Sequence, residues 1–353
     1  MRISLDQWTR KEKPGRDLEL YLTVKSFDLQ AIRERYLKSR ASGESKKTGS
    51  VERRAPGLGG LIKAEIIQGK FNYEILDKFP EPRGVAKTKD LLAVSSENKV
   101  MVHEGEKVTE ITNPWFSFIH TVDFHPQDDS RILISSSGFD ALFEYNWRTK
   151  EVLREWFAWE HGFQWGTEPE TGDKIALTRK REQANAWAKE GVKHRLISPE
   201  EKGVLPTAMR AAFINSALYD TLNPGHWLAT YFHEGAVYRI SEEGKPEKII
   251  EGLKNPHGGR RMGHSFLVTS TGHGLVRIKG EEGELEVEFS SLPGKDPRLG
   301  EMEWLQNSAP ISSNEIITID SNRNALVWLN LEEETYCLIS YPDNWAVQDL
   351  VVR

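Results

Sequence analysis

A nine-residue segment that recurs five times without internal gaps limits the folds open to this chain. The copies are LAVSSENKV from Leu92, ISSSGFDAL from Ile134, ATYFHEGAV from Ala229, VTSTGHGLV from Val268 and TIDSNRNAL from Thr318. Each starts and ends on an apolar residue, carries polar turn formers between, and is followed by another β-rich stretch, the pattern of repeated strand–turn–strand units. A second element lies upstream of each copy: an apolar or proline residue, a polar or ring-bearing residue, then a small one. It reads PRG at Pro82, IHT at Ile119, INS at Ile214, PHG at Pro256 and QNS at Gln306, where Gln306 departs from the apolar rule. A weaker sixth copy, VQD, begins at Val347, and the early runs GLIKAEIIQ and FNYEILDKF are the strands available to complete its unit. Six units of four strands predict an all-β fold, a six-bladed β-propeller closed by pairing C-terminal and N-terminal strands. Such closure removes the open edges that a flat sheet would have to protect.

Two segments fall outside the repeat. Residues 1–57 read as an N-terminal arm and flexible linker: FDLQAIRERYLKSR has helical spacing with Asp28 as a candidate N-cap, and 37–57 are rich in Ser, Gly, Lys and Arg. The propeller is expected over 58–353, interrupted at 160–206 by a partly helical insertion with a helix from about Thr178 to His194. An insertion this long in a compact β domain suits a functional lid or an irregular blade extension.

Composition narrows the function classes. Among 353 residues, 47 Lys and Arg oppose 53 Asp and Glu, a net charge of −6 spread along the chain, which offers no general basis for nucleic-acid binding. The one cysteine, Cys337, excludes an intramolecular disulfide and a multi-cysteine zinc site, and its run YCLIS suits a core position. No stretch approaches the ~18 apolar residues of a membrane span, and the start lacks an apolar leader, so the expectation is a cytoplasmic protein with no membrane partner.

Propeller geometry brings the two repeated elements to one face. The inner-strand starts would place Arg83, His120, Asn215, His257, Asn307 and Gln348 around the central mouth, and the turns would add Glu97, Phe139, His233, His273 and Arg323, with His161 also within reach. Neutral imidazoles suit Zn, Fe, Cu or Ni. His120, His257, His273, His233 and His161 are therefore candidate ligands of one divalent metal, and His120 and His257 candidate catalytic groups. The alternative is that His120 and His257 simply hydrogen-bond buried backbone. Arg83 beside a bare cation is unfavourable unless an anion lies between them, which favours an anionic small molecule held by Arg83, Asn215, Asn307, Gln348 and Arg323, with Trp165 as a ligand wall. Trp156 reads as core.

The turns DSNRNALV and STGHGLV resemble the hallmark turn of NHL-type propeller repeats, and NPHGG looks like the PHG entry of streptogramin-lyase-like propellers. The wider resemblance is to the six-bladed gluconolactonase and senescence-marker-protein, strictosidine synthase and arylsulfotransferase group, at the level of repeat pattern over 58–353. It implies the propeller fold. The acidic calcium ligands of gluconolactonases have no counterpart here, so calcium is disfavoured among the metals. The leading expectation is an enzyme acting on a small anionic or polar metabolite by lyase, hydrolase or oxygenase-type chemistry, and the alternative is a non-catalytic ligand-binding or protein-interaction propeller.

Overall fold

The computed structural model describes residues 1–41, 56–168, 171–199, 205 and 209–352. Its strands form six sheets of antiparallel four-stranded blades, plus one small sheet from the insertion. Blades 1 to 5 span 85–112, 119–157, 214–250, 256–288 and 305–340, each a meander whose first strand is innermost. Blade 6 runs Val347–Val352, Leu18–Val24, Leu58–Ile67, Lys70–Pro80 from the inside outward. The inner strands neighbour one another in order, and Val347–Val352 packs against both Leu305–Pro310 of blade 5 and Val85–Lys87 of blade 1.

The pairing of late and early strands agrees with the expectation, but the domain boundary at 58 does not. GLIKAEIIQ and FNYEILDKF do occupy blade 6, whereas its second strand, Leu18–Val24, comes from the segment read as an arm. Leu18, Leu20, Leu22 and Val24 are buried against blade 5, which explains why this stretch is strand. Two further pieces of the supposed arm are parallel fifth strands: Arg2–Ser4 along Gly283–Glu288 of blade 4, and Thr9–Arg10 along Thr335–Ser340 of blade 5. Helix α1, Leu29–Ala41, follows, and the Asp28 carboxylate accepts the Ala31 amide at 3.0 Å as the N-cap reading anticipated. The central part of the expected linker, 42–55, lies outside the described residues.

The core sits between blades rather than within one globular centre. Among the described residues, six apolar clusters each fill one blade–blade interface, from Leu91, Phe124 and Phe143 between blades 1 and 2 round to Tyr21, Leu61, Val85 and Val94 between blades 6 and 1. Inner strands approach closely enough to restrict side-chain size: a Cβ on Gly84 would lie 2.6 Å from Thr121 Cα. Trp156 and Cys337 are buried as expected.

The insertion is a small mixed sheet, Trp165–Thr167, Lys174–Thr178 and His194–Leu196, with helix α2 at Arg181–Lys189, shorter than the periodicity suggested. Its Ile175, Leu177 and Ile197 share a cluster with Phe157 and Trp159 of blade 2, so it is packed onto that blade's flank. No described helix is long and apolar enough to cross a membrane.

Candidate active site at the central mouth

In blades 1 to 4 the chain enters the inner strand through a left-handed residue two positions before the mouth residue. Glu81 (φ 47°) precedes Arg83, Phe118 (φ 46°) precedes His120, Phe213 (φ 48°) precedes Asn215, and Asn255 (φ 51°) precedes His257. Non-glycine residues in this region cost about 1–3 kcal/mol each and persist only where their surroundings enforce them. Here the enforcement is visible. Asp140, in the blade 2 turn, accepts the Ala212 and Ile214 amides on either side of Phe213, both at 3.1 Å. The two mouth histidines use one device: Nδ1 of His120 meets the Phe118 carbonyl at 2.8 Å, and Nδ1 of His257 meets the Asn255 carbonyl at 3.1 Å. A carbonyl can only accept, so both rings carry their proton on Nδ1 and present a lone pair at Nε2.

The two lone pairs have different fates. Nε2 of His120 accepts from Nη1 of Arg83 at 2.9 Å, while Nη2 of Arg83 pairs with the buried Glu81 carboxylate at 2.9 Å. Nδ1 of His257 also reaches Thr271 Oγ1 at 2.9 Å, a hydroxyl that itself donates to the Leu305 carbonyl. Nε2 of His257 has no partner among the described residues. Burial, reinforced by Arg83, holds His120 well below the usual imidazole range, and burial, reinforced by Lys25 and opposed by the Asn255 carbonyl, pushes His257 down to about 4. Both rings are neutral at pH 7.

These groups line a cavity of about 570 Å³ together with Lys25, Lys254, Gln306 and Gln348. Phe213 and Phe232 form an apolar wall, with Phe213 edge-on to His120 and Phe232 edge-on to His257, both at 5.7 Å. Thr271 and Gly272, from the blade 4 turn, reach the same cavity, so turn and inner-strand elements do converge on one face. The arrangement supplies a fixed guanidinium for an anion, an open imidazole acceptor, and an apolar surface opposite.

The other sequence candidates are placed elsewhere. Asn215 donates to the Pro256 carbonyl at 2.7 Å and Asn307 to Asp349 at 2.7 Å; both are buried inner-strand residues, and neither lines this cavity. In blade 5 the lining residue is Gln306, which accepts from Gln348 Nε2 at 3.2 Å. The reason is a two-residue bulge between Leu305 and Ser308, where blades 2 and 3 skip only one residue. Arg323 pairs with Glu303 at 3.0 Å and Asp320 at 2.8 Å, donates from Nε to the Leu292 carbonyl, and does not line this cavity. Trp165 stands exposed on the insertion sheet.

His161 stacks on Trp156, ring centroids 4.8 Å apart, beside Gly244 in an outer turn of blade 3. His273 bonds Ser270, and the His233 ring packs against Phe213 and Phe232. No group of three or more His, Cys, Asp or Glu that could hold a metal forms among the described residues. The Arg83 hydrogen bond also occupies the His120 lone pair that a cation would need. The five histidines expected as ligands are thus not gathered into one such group among the described residues.

Sequence reasoning missed Lys25, Lys254, Phe213, Phe232 and Gln306. Only Gln306 carried a signal, its break from the apolar rule.

No protein-family model matches the chain, and no curated protein matches it. Among solved structures, the propeller resembles one from a nidogen/laminin complex at TM-score 0.58 and 8% identity, covering 96% of this chain and 98% of that one. A protein of unknown function from Bacteroides caccae matches at TM-score 0.49 and 12% identity, over 92% of this chain and 100% of that chain. A virginiamycin B lyase from Staphylococcus aureus matches at TM-score 0.45 and 10% identity, over 96% of this chain and 88% of that chain. At 8% identity the likeness to the nidogen/laminin structure bears on the β-propeller fold alone.

Proposed function

We propose that this chain is an enzyme that binds a small anionic or polar metabolite at the central mouth and moves a proton with His257, in lyase or hydrolase-type chemistry. One observation carries the reading. Thr271 and Asn255 hold Nδ1 of His257, so the remaining lone pair is the open acceptor in a cavity whose nearby cation, Arg83, is already oriented by Glu81 and His120. A base with a pKa of about 4 is weak in the empty site. A bound anion raises its proton affinity, so substrate binding itself tunes the base. Arg83 supplies preorganised N–H donors where negative charge collects. His120 touches Arg83 rather than substrate and is a positioning residue. The single buried cysteine suits a reducing compartment such as the cytoplasm.

The test is turnover of a panel of small esters, lactones and hydroxy-carboxylates by the wild type and His257→Asn, with products followed by NMR. Loss of a proton-transfer group is expected to lower kcat about 10²–10⁴-fold on any substrate accepted. Equal rates in the two proteins would sink the acid–base role. Saturable binding without turnover across the panel would favour a non-catalytic ligand-binding propeller.

A further inference from the structure

Arg210 is a second buried guanidinium next to the mouth. It is 4% exposed, and its guanidinium carbon stacks 5.3 Å from the ring centre of Phe118 and 4.8 Å from that of Phe213, the cavity wall. Its Nε donates to the Leu205 carbonyl at 3.2 Å, and it forms no ion pair among the described residues. Asp140 is the acidic group that acts on it, but that carboxylate is engaged by the Ala212 and Ile214 amides. Arg83 packs over the same Phe118 ring at 5.5 Å, and its own carboxylate partner is Glu81. The two guanidiniums repel each other. Burial lowers the Arg210 pKa only to about 10, so it is charged at neutral pH.

Burial strengthens the pull of a guanidinium on an anion, and its planar fork is matched in shape to a carboxylate or phosphate. We propose that Arg210 is the second anchor of an oxyanion site at the mouth, where the carboxylate or phosphate head of a small metabolite is gripped by Arg83 and Arg210 beside the Phe118 ring. The site rests on the reading of the mouth as an anion pocket and names the head group it takes.

The test is isothermal titration of inorganic phosphate and of malonate, at constant ionic strength, into wild type, Arg210→Gln, Arg210→Lys, Arg83→Gln and His257→Asn, each checked for folding by circular dichroism. One probe is expected to bind the wild type with 1:1 stoichiometry, and the tighter of the two identifies the head group as phosphate or carboxylate. Arg210→Gln and Arg83→Gln each weaken that binding tenfold or more, and His257→Asn leaves it within about threefold. Should Arg210→Gln not fold, Arg210→Lys, which keeps the charge and loses the fork, still weakens binding several-fold. Absence of binding by both probes, or unchanged affinity in folded Arg210 variants, overturns the proposal. Probe binding that depends on Arg210 while His257→Asn retains full turnover keeps the oxyanion site and removes the acid–base reading. Turnover that depends on His257 with binding indifferent to Arg210 does the reverse.

Discussion

Nη1 of Arg83 donates to Nε2 of His120 at 2.9 Å, and this bond makes His120 a neutral acceptor rather than an available base. The Phe118 carbonyl takes the proton on the other ring nitrogen. In ¹⁵N NMR, His120 is expected as the Nδ1–H tautomer throughout the range from pH 8 to pH 5. His120→Phe leaves a buried charged donor unpaired and is expected to cost about 1–3 kcal/mol in urea unfolding. An imidazolium signal from His120 near pH 6 would contradict the arrangement.

His257 gives the mouth a pH signature. Its folded pKa, about 4, lies below the 6.5 of an unfolded chain, so on acidification the unfolded state takes up the proton first. The stability held by the neutral buried ring is complete above pH 6.5 and is lost as pH falls toward 4. Urea unfolding at pH 7 and pH 5 is expected to show a drop of about 1–2 kcal/mol in the wild type that His257→Asn reduces. For any substrate turned over, the acid limb of kcat/KM is expected near pH 4, because that quantity reports the free enzyme.

Asp123, on the inner strand of blade 2, works in the opposite direction. Its carboxylate accepts the Tyr219 amide at 2.8 Å, with Arg260 and Asp349 acting on it from other blades, and burial pushes it up to about 7. Because the folded pKa exceeds the unfolded 3.8, its contribution to stability is present in acid and disappears as pH rises through 7. Asp123→Asn, neutral throughout, is expected to gain on the wild type progressively between pH 4 and pH 7 and to hold a constant advantage above. Melting temperatures at pH 5, 7 and 8 measure this, and a pH-independent gap would show that burial does not govern the group.

Blade spacing can be probed at Gly84. Its hypothetical Cβ meets backbone, 2.6 Å from Thr121 Cα and 2.7 Å from Val122 N, where no flexible side chain can give way. Gly84→Ala is expected to cost about 1–3 kcal/mol or more in urea unfolding. Gly15→Ala, with nothing within 4 Å, serves as the control and is expected to be near neutral.

The repeat was readable in the sequence because its turns need a left-handed residue. Asp140, Gly235, Gly274 and Asn324 occupy the same position of the nine-residue segment and have φ of 50°, 62°, 66° and 50°, a conformation that favours Asp, Asn and Gly. LELYLTV carried the alternation of a strand as well, but its sequence distance from Val347 concealed its place in blade 6. The mouth was less legible. His120 and His257 follow from the inner-strand pattern, whereas the choice between Gln306 and Asn307 depends on bulge length, a product of packing between blades. Lys25 reaches the mouth from a segment outside the repeat, where no local periodicity marks it.

Blade 6 joins strands from opposite ends of this sequence, and the consequence is temporal. Val347–Val352 cannot pair with Leu18–Val24 until all the residues between them have been synthesised. Contacts this distant are slow to form, since loop closure has to precede any gain from pairing. Gln348 lies on the later strand and Lys25 directly follows the earlier one, so their sides of the pocket are assembled last. Ligand-binding capacity should therefore emerge as a late event in refolding, after most β structure has formed, and its appearance would time the arrival of the final strand.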